Sequence, residues 1–249
     1  MPVLLVFDTS GERLSAGLVT GHGRWRHEGP GGAHASAGLV PALRQLVADA
    51  GCSFRDLDAL GFGQGPGAFT GLRTACAVAQ GLAEAVGRPV LALDTLEAVA
   101  LDTWRRASTA QPACVWAVQD ARMGEVYAGA YEVDAGGRSR PIHPPDLWTA
   151  ESLNAAWSAP PAADAPTPWP MLVGGSAVAV CGERLRGATA RFDPDAWPSP
   201  DALLDLALQR HAAGAAMPAA AARPAYVRDR VALTTAEREA RAATQGAAR

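Results

Sequence analysis

Residues 60–87, LGFGQGPGAFTGLRTACAVAQGLAEAVG, constrain the fold more than any other stretch. They read as a short apolar strand, a loop with glycines at 61, 63, 65 and 67, and a helix of about five turns. Glycines so closely spaced mark a backbone that needs positive φ or close approach by another group, and Pro66 stiffens it. A loop of this kind at a helix start can hold an anion. The plainer alternative, which the residues favour, is a tight turn that packs a helix on a sheet. Within the helix, Gly71, Ala75, Val78, Ala79 and Leu82 recur at three- and four-residue spacings, which predicts an apolar, mostly small-sided face able to lie close to another backbone.

The familiar phosphate loops fit poorly. A Walker loop needs a lysine to reach the phosphates, and all 22 basic residues here are arginine. Gly63-x-Gly65-x-x-Ala68 loosely matches the dinucleotide fingerprint, with Glu84 near the position of the ribose-binding acid. Pro66 interrupts that match and Glu84 falls inside the predicted helix, so a dehydrogenase is disfavoured.

A chain of 249 residues, 49% hydrophobic, suffices for one large or two small domains. With 19% charged residues and a formal net charge of -3, it is not a basic nucleic-acid binder; any RNA contact is local or supplied by a partner. Cys52, Cys76, Cys114 and Cys181 form no C-x-x-C pair, which signals neither a zinc knuckle nor a disulfide framework. No run of 18 apolar residues occurs, and MPVLLVFDTS lacks a basic start and a cleavage site, so a soluble cytoplasmic protein without membrane partners is expected.

Val3 to Phe7, closed by Asp8-Thr9-Ser10-Gly11, and Leu14 to Val19 are separated as in a hairpin, and Arg24 to His27 makes a third strand. A helix follows from about Ala35 to Ala50 with Leu39, Leu43, Leu46 and Val47 on one face, then the glycine-rich unit. The order βββαβα describes a ribonuclease H-like half. Val115 to Gln119, a turn at Asp120–Glu125 and Val126 to Tyr131 repeat the opening: strand, Asp, short turn, Gly-Glu, then a strand with Ala-Gly. This is either an internal duplication, as in actin, sugar kinases and Hsp70, or two ordinary Asx-turn hairpins, and the residues favour neither. From Ala135 the pattern becomes irregular. A short helix is predicted over Ala150–Trp157, a proline-rich loop over Ala159–Pro170, a strand at Met171–Val173 before a Gly174-Gly175-Ser176 turn, and an amphipathic helix over Asp201–Ala213.

Catalytic chemistry is sparse. His22, His27, His34, His143 and His211 include no i, i+4 pair, and no Gly-x-Ser-x-Gly elbow occurs. Asp8, Asp120 and Glu125 could hold Mg²⁺ or orient phosphates if they share a cleft, or they only cap turns. The inventory points to a scaffold or nucleotide-responsive subunit more readily than to an independent catalyst.

Four blocks carry a family resemblance: Val6-Phe7-Asp8-Thr9-Ser10, Gly63 through Arg73, Asp120 through Tyr127, and Pro224-Ala225-Tyr226-Val227-Arg228. In this order they resemble the TsaB (YeaZ-type) family, the dimerisation subunits of the bacterial tRNA threonylcarbamoyladenosine-synthesising complex. The resemblance implies an α/β, actin-like (ASKHA, ribonuclease H-like) two-lobed fold with duplicated βββαβα units, the second lobe reduced. The lobes are expected at 1–104 and 105–230, with the 201–213 helix able to pack back on the first and a flexible tail at 231–249.

It further implies a subunit with no catalytic residue, pairing with its paralogue TsaD and with the ATPase TsaE, and meeting tRNA only through the complex. TsaD carries a His-x-x-x-His metal motif; Thr95 and Val99 stand at the comparable positions here, so no metal is expected. The family pairs through its first two long helices, which assigns Leu39, Leu43, Leu46, Gly71, Ala75, Val78, Ala79 and Leu82 to the interface. No firm cofactor follows. Weak ATP or ADP binding with Mg²⁺ at a complex interface, through Asp8, Gly11, Asp120, Arg122, Glu125, Gly174 and Gly175, stays open, as does a homodimer in isolation. The rival reading is an independent actin-like ATPase or kinase, with Asp8 and Asp120 flanking a nucleotide-metal complex.

Overall fold

A computed structural model describes residues 1–109, 111–158, 170–186 and 190–228. The Ala159–Pro170 loop, apart from Pro170, and the 231–249 tail lie outside the described residues.

The first half builds β1 (Leu4–Asp8), β2 (Arg13–Thr20), β3 (Gly23–Pro30), α1 (Ala35–Asp49), β4 (Ala59–Gly65), α2 (Phe69–Val86), β5 (Val90–Asp94) and α3 (Thr95–Arg106). Its sheet runs β3-β2-β1-β4-β5, antiparallel through the first three strands and parallel from β1 to β5. The second half supplies β6 (Ala113–Asp120), β7 (Glu125–Val133), β8 (Ser139–Thr149), α4 (Ala150–Ser158), β9 (Met171–Gly174), α5 (Ser176–Cys181) and β10 (Arg191–Asp193). Its sheet runs β10-β9-β6-β7-β8, with β6, β7 and β8 antiparallel and β6, β9 and β10 parallel. Read from the third strand of each half, the two orders are identical, so the duplication is real and the paired-hairpin alternative falls.

The layers follow from alternation along β1, whose residues are all buried because helices cover both sheet faces. Leu5 and Phe7 point to one side, into a core with Leu39, Leu43 and Leu46 of α1 and Ala75, Ala79 and Ala83 of α2. Leu4 and Val6 point to the other, into a core shared by α3, by Leu203, Leu204 and Leu206 of α6 (Pro200–Ala212), and by Val115, Ala117 and Tyr131 of the second sheet. Helices α3 and α6 therefore lie between the two sheets. The far face of the second sheet packs on Leu153 of α4 and Ala177 of α5.

Local signals fix the helix ends. Gly87 ends α2 in the left-handed region at φ 67°, Asp94 caps α3 by accepting from Leu96 N at 2.9 Å, and Ser199 caps α6 ahead of Pro200.

Three elements differ from the sequence reading. The stretch after Ala135, expected to be irregular, contains the 11-residue strand β8 despite Pro141, Pro144 and Pro145. Pairing only with β7, it is an edge strand, where prolines need not donate to a ladder. The turn at Gly174-Gly175-Ser176 leads into α5, and the short β10 extends the sheet beyond β9.

Candidate functional site

The glycine loop is filled by the protein itself. A Cβ on Gly63 would overlie the Asp8 carboxylate, one on Gly71 would overlie the Thr9 carbonyl oxygen, and one on Gly67 would lie 2.6 Å from Ser10 Cβ. The turn after β1 thus nests into the strand-loop-helix unit, and hydrogen bonds lock it there. Ala68 N donates to Ser10 O at 2.7 Å, and Thr9 Oγ1 donates to Gly71 O at 2.7 Å. The anion reading fails because the loop encloses backbone and side chains of its own chain. The dinucleotide reading fails with it, since Glu84 is exposed on α2 within the helix.

Asp8 is fully buried beneath this turn. Its Oδ1 accepts from Ser10 N at 2.7 Å and Ser10 Oγ at 2.6 Å, and its Oδ2 accepts from Thr95 Oγ1 at 2.7 Å. Thr95 Oγ1 also accepts from Gly65 N at 3.2 Å, so one hydroxyl joins the glycine loop, Asp8 and the start of α3. Burial pushes the Asp8 carboxyl above its usual range, while the Ser10 and Thr95 hydrogen bonds pull it down.

Between the lobes lies a cleft of about 720 Å³. Of the candidate nucleotide residues, Gly11, Asp120 and Arg122 line it. Asp8 does not, and Gly174 and Gly175 pack instead against Thr103 and the Val118 carbonyl. Glu125 is paired with Arg228 at 2.5 Å. Asp120 accepts from Arg122 N at 2.9 Å, and Arg122 bridges the cleft to Glu12 at 2.7 Å. The two aspartates matched by sequence framing therefore do not converge, and these residues do not fit a Mg²⁺-nucleotide held between them. Among the described residues, no group of three or more His, Cys, Asp or Glu side chains is placed to hold a metal. Thr95 is engaged by Asp8, and Val99 is buried in the core between the sheets.

The assigned partner helices are in place, but the assigned residues face inward. Leu39, Leu43, Leu46, Gly71, Ala75 and Ala79 are buried against the chain's own first sheet, with Val78 and Leu82 half-buried beside them. This is a correction: small side chains on α2 let the helix approach β1 and the turn after it, not a partner. The opposite side of the two helices is the one exposed, through Ala37, Val40 and Pro41 on α1 and Thr70, Arg73, Ala77 and Gly81 on α2.

Two features lay beyond sequence reasoning. A polar spine runs along α3. Tyr131 donates to Asp94 Oδ2 at 2.7 Å, Ser139 to Glu97 at 2.8 Å, and Ser199 to Asp102 at 2.6 Å, while Arg210 pairs with Glu97. Burial pushes the Asp94 carboxyl up to about 6 and raises Glu97 and Asp102 as well. The second feature is the run Pro224–Arg228, which joins the cleft lining from Ala225 on, with Tyr226 stacked on Phe69 at 5.3 Å between ring centroids. The sequence marked Pro224–Arg228 as a block of the family resemblance but carried no signal of where it packs.

Duplicated halves, two helices between the sheets and a cleft between the lobes define a two-lobed actin-like α/β protein. A family model described as TsaD, tRNA N6-adenosine threonylcarbamoyltransferase, matches residues 30–165. Two solved structures from Pseudomonas aeruginosa share the fold. One, described as an uncharacterized protein with similarity to peptidase YeaZ, has TM-score 0.79 and 33% identity and covers 92% of this chain and 100% of its own. The other, YeaZ, has TM-score 0.76 and 33% identity and covers 91% of this chain and 100% of its own. The tRNA threonylcarbamoyladenosine biosynthesis protein TsaB of Escherichia coli strain K12 is 35% identical over 117 residues, 47% of this chain and 46% of the relative. Its Haemophilus influenzae counterpart is 37% identical over 125 residues, 50% and 51% of the two chains. The chain spans about half the length of the curated relatives it matches. It belongs to the TsaB (YeaZ-type) family.

Proposed function

We propose that this chain is the non-catalytic docking subunit for threonylcarbamoyladenosine formation on tRNA, pairing with a TsaD-type paralogue through the outward faces of α1 and α2. Contacts with a TsaE-type ATPase and with tRNA are then made through that complex. The observation that carries the reading is the division of labour on α2. Its inward small residues hold the turn that locks Asp8, and its outward side presents Thr70, Arg73, Ala77 and Gly81 while α1 presents Ala37, Val40 and Pro41, so that small side chains at Ala77 and Gly81 let another helix pair approach closely. Locking Asp8 under Ser10 and Thr95 also argues against the kinase reading, which needs that carboxylate in the cleft.

Co-purification with the paralogue tests the pairing. Ala75→Arg is unsuitable because Ala75 is fully buried and the variant would fail to fold. Ala77→Arg places the same bulk and charge on the exposed side. Loss of co-purification is expected for Ala77→Arg and retention for Ile142→Arg, which sits exposed on β8. Undiminished capture by Ala77→Arg would overturn the assignment.

A further inference from the structure

We propose that Pro224–Arg228 is a strap that holds the two lobes at a fixed opening. After α6 the chain returns to the first lobe, where Met217 and Val90 exchange backbone hydrogen bonds at 2.9 Å and Gln80 Nε2 donates to Ala222 O at 3.2 Å. From there it crosses the cleft.

Its first-lobe anchor is double. Ala225 N donates to Gln64 O at 2.7 Å, and the close passage of the Ala225 carbonyl requires Gly65, whose Cβ would lie 2.8 Å from that oxygen. Tyr226 stacks on Phe69 and its hydroxyl accepts from Arg73 Nε at 3.0 Å, while the Arg73 guanidinium lies 3.7 Å over the Phe69 ring.

The far end is anchored on the second lobe. Arg228 Nη2 donates to Glu125 at 2.5 Å, and its Nη1 lies 3.4 Å from Met123 Sδ. The Arg228 side chain is 13% exposed and that of Glu125 37%, so this charge-assisted bond is partly shielded from water and salt. A second bridge across the cleft among the described residues, Arg122 to Glu12, joins side chains 73% and 84% exposed and holds little. The turn that carries the second anchor is itself unusual. Arg122, Met123 and Gly124 all have positive φ, at 64°, 60° and 81°, a conformation that the two non-glycine residues adopt only when their surroundings impose it. Three sequence blocks without another shared role thus meet at one place: the glycine loop with the start of α2, the β6–β7 turn, and the strap.

Hydrogen–deuterium exchange on the full chain tests the strap. Arg228→Glu and Glu125→Arg should each raise exchange at least about tenfold in peptides spanning 10–14 and 119–127, which face each other across the cleft, with peptides of α3 unchanged. The charge swap carrying both substitutions should return exchange to within about threefold of wild type. Tyr226→Ala, at a site 45% exposed, should open the same peptides from the other anchor and serves if the charge variants fold poorly. Wild-type exchange in any folded anchor variant, or a swap no closer to wild type than its parents, would overturn the proposal.

Discussion

One substitution, glycine to alanine, is expected to have opposite effects at two places on α2. Gly81 is exposed and a Cβ there meets nothing within 4 Å. Alanine in a helix interior is favoured over glycine by about 1 kcal/mol, so Gly81→Ala should stabilise by about 0.5–1 kcal/mol. Gly71 lies in the first turn, where the propensity gain is at most that large. Its Cβ would overlie Thr9 O and lie 2.8 Å from Thr9 C and 3.3 Å from Ser10 Cα. All of these are backbone atoms, so no rotamer change relieves the contact and the helix must retreat. That opens the seam with β1 and stretches the Thr9 Oγ1 to Gly71 O bond of 2.7 Å. Overpacking of this kind costs about 3 kcal/mol, leaving a net loss of about 2 kcal/mol after the propensity gain. At about 2–4 °C per kcal/mol for a chain of this size, Gly71→Ala should melt about 4–8 °C below wild type and Gly81→Ala about 1–4 °C above it. Urea titration should move the midpoints in the same two directions with unchanged slope. Equal shifts of one sign would refute the reading that the glycines serve close packing inside the chain.

Thr95→Val keeps volume but leaves Asp8 Oδ2 and Gly65 N without their partner, and should cost about 1–3 kcal/mol, read as a fall of about 2–12 °C in melting temperature. Asp94, raised by burial to about 6, binds a proton in the folded state at pH values where the unfolded chain has released it. Its contribution to stability is therefore complete below about pH 4 and is lost as pH rises through about 6. Asp94→Asn, which keeps a cap acceptor for α3, should make the fall in stability measured by urea between pH 4 and 7 shallower by the share of Asp94, while Asp8, Glu97 and Asp102, also raised by burial, keep theirs.

The parts of the fold with a strong local pattern were legible in the sequence. The hairpin at Asp8, the glycine loop and the long α2 helix each combine an apolar run with an unambiguous turn or cap. Strand β8 was hidden because its prolines mimic a loop, and only its place at a sheet edge makes them tolerable. The small-sided stripe on α2 was correctly seen as a close-approach face, but spacing does not say what approaches. Gly71 and Ala75 read the same whether a partner or the chain's own turn covers them. Asp8 and Asp120 share a sequence frame and each accepts the backbone N–H two residues on, yet only Asp8 also takes the hydroxyl of Ser10, and Thr95, 87 residues away, completes the lock. Contacts such as Tyr131 with Asp94 or Arg228 with Glu125 join residues whose separation carries no periodic signal.

Threonylcarbamoyladenosine formation by a mixture reconstituted with the TsaD-type paralogue measures most directly whether this chain contributes a surface or chemistry. The expected outcome is that Ala77→Arg abolishes the product formation that depends on this chain, while Asp120→Asn, altering the one candidate acid that lines the cleft, leaves the rate at wild type. Loss of product with Asp120→Asn and full activity with Ala77→Arg would contradict the account.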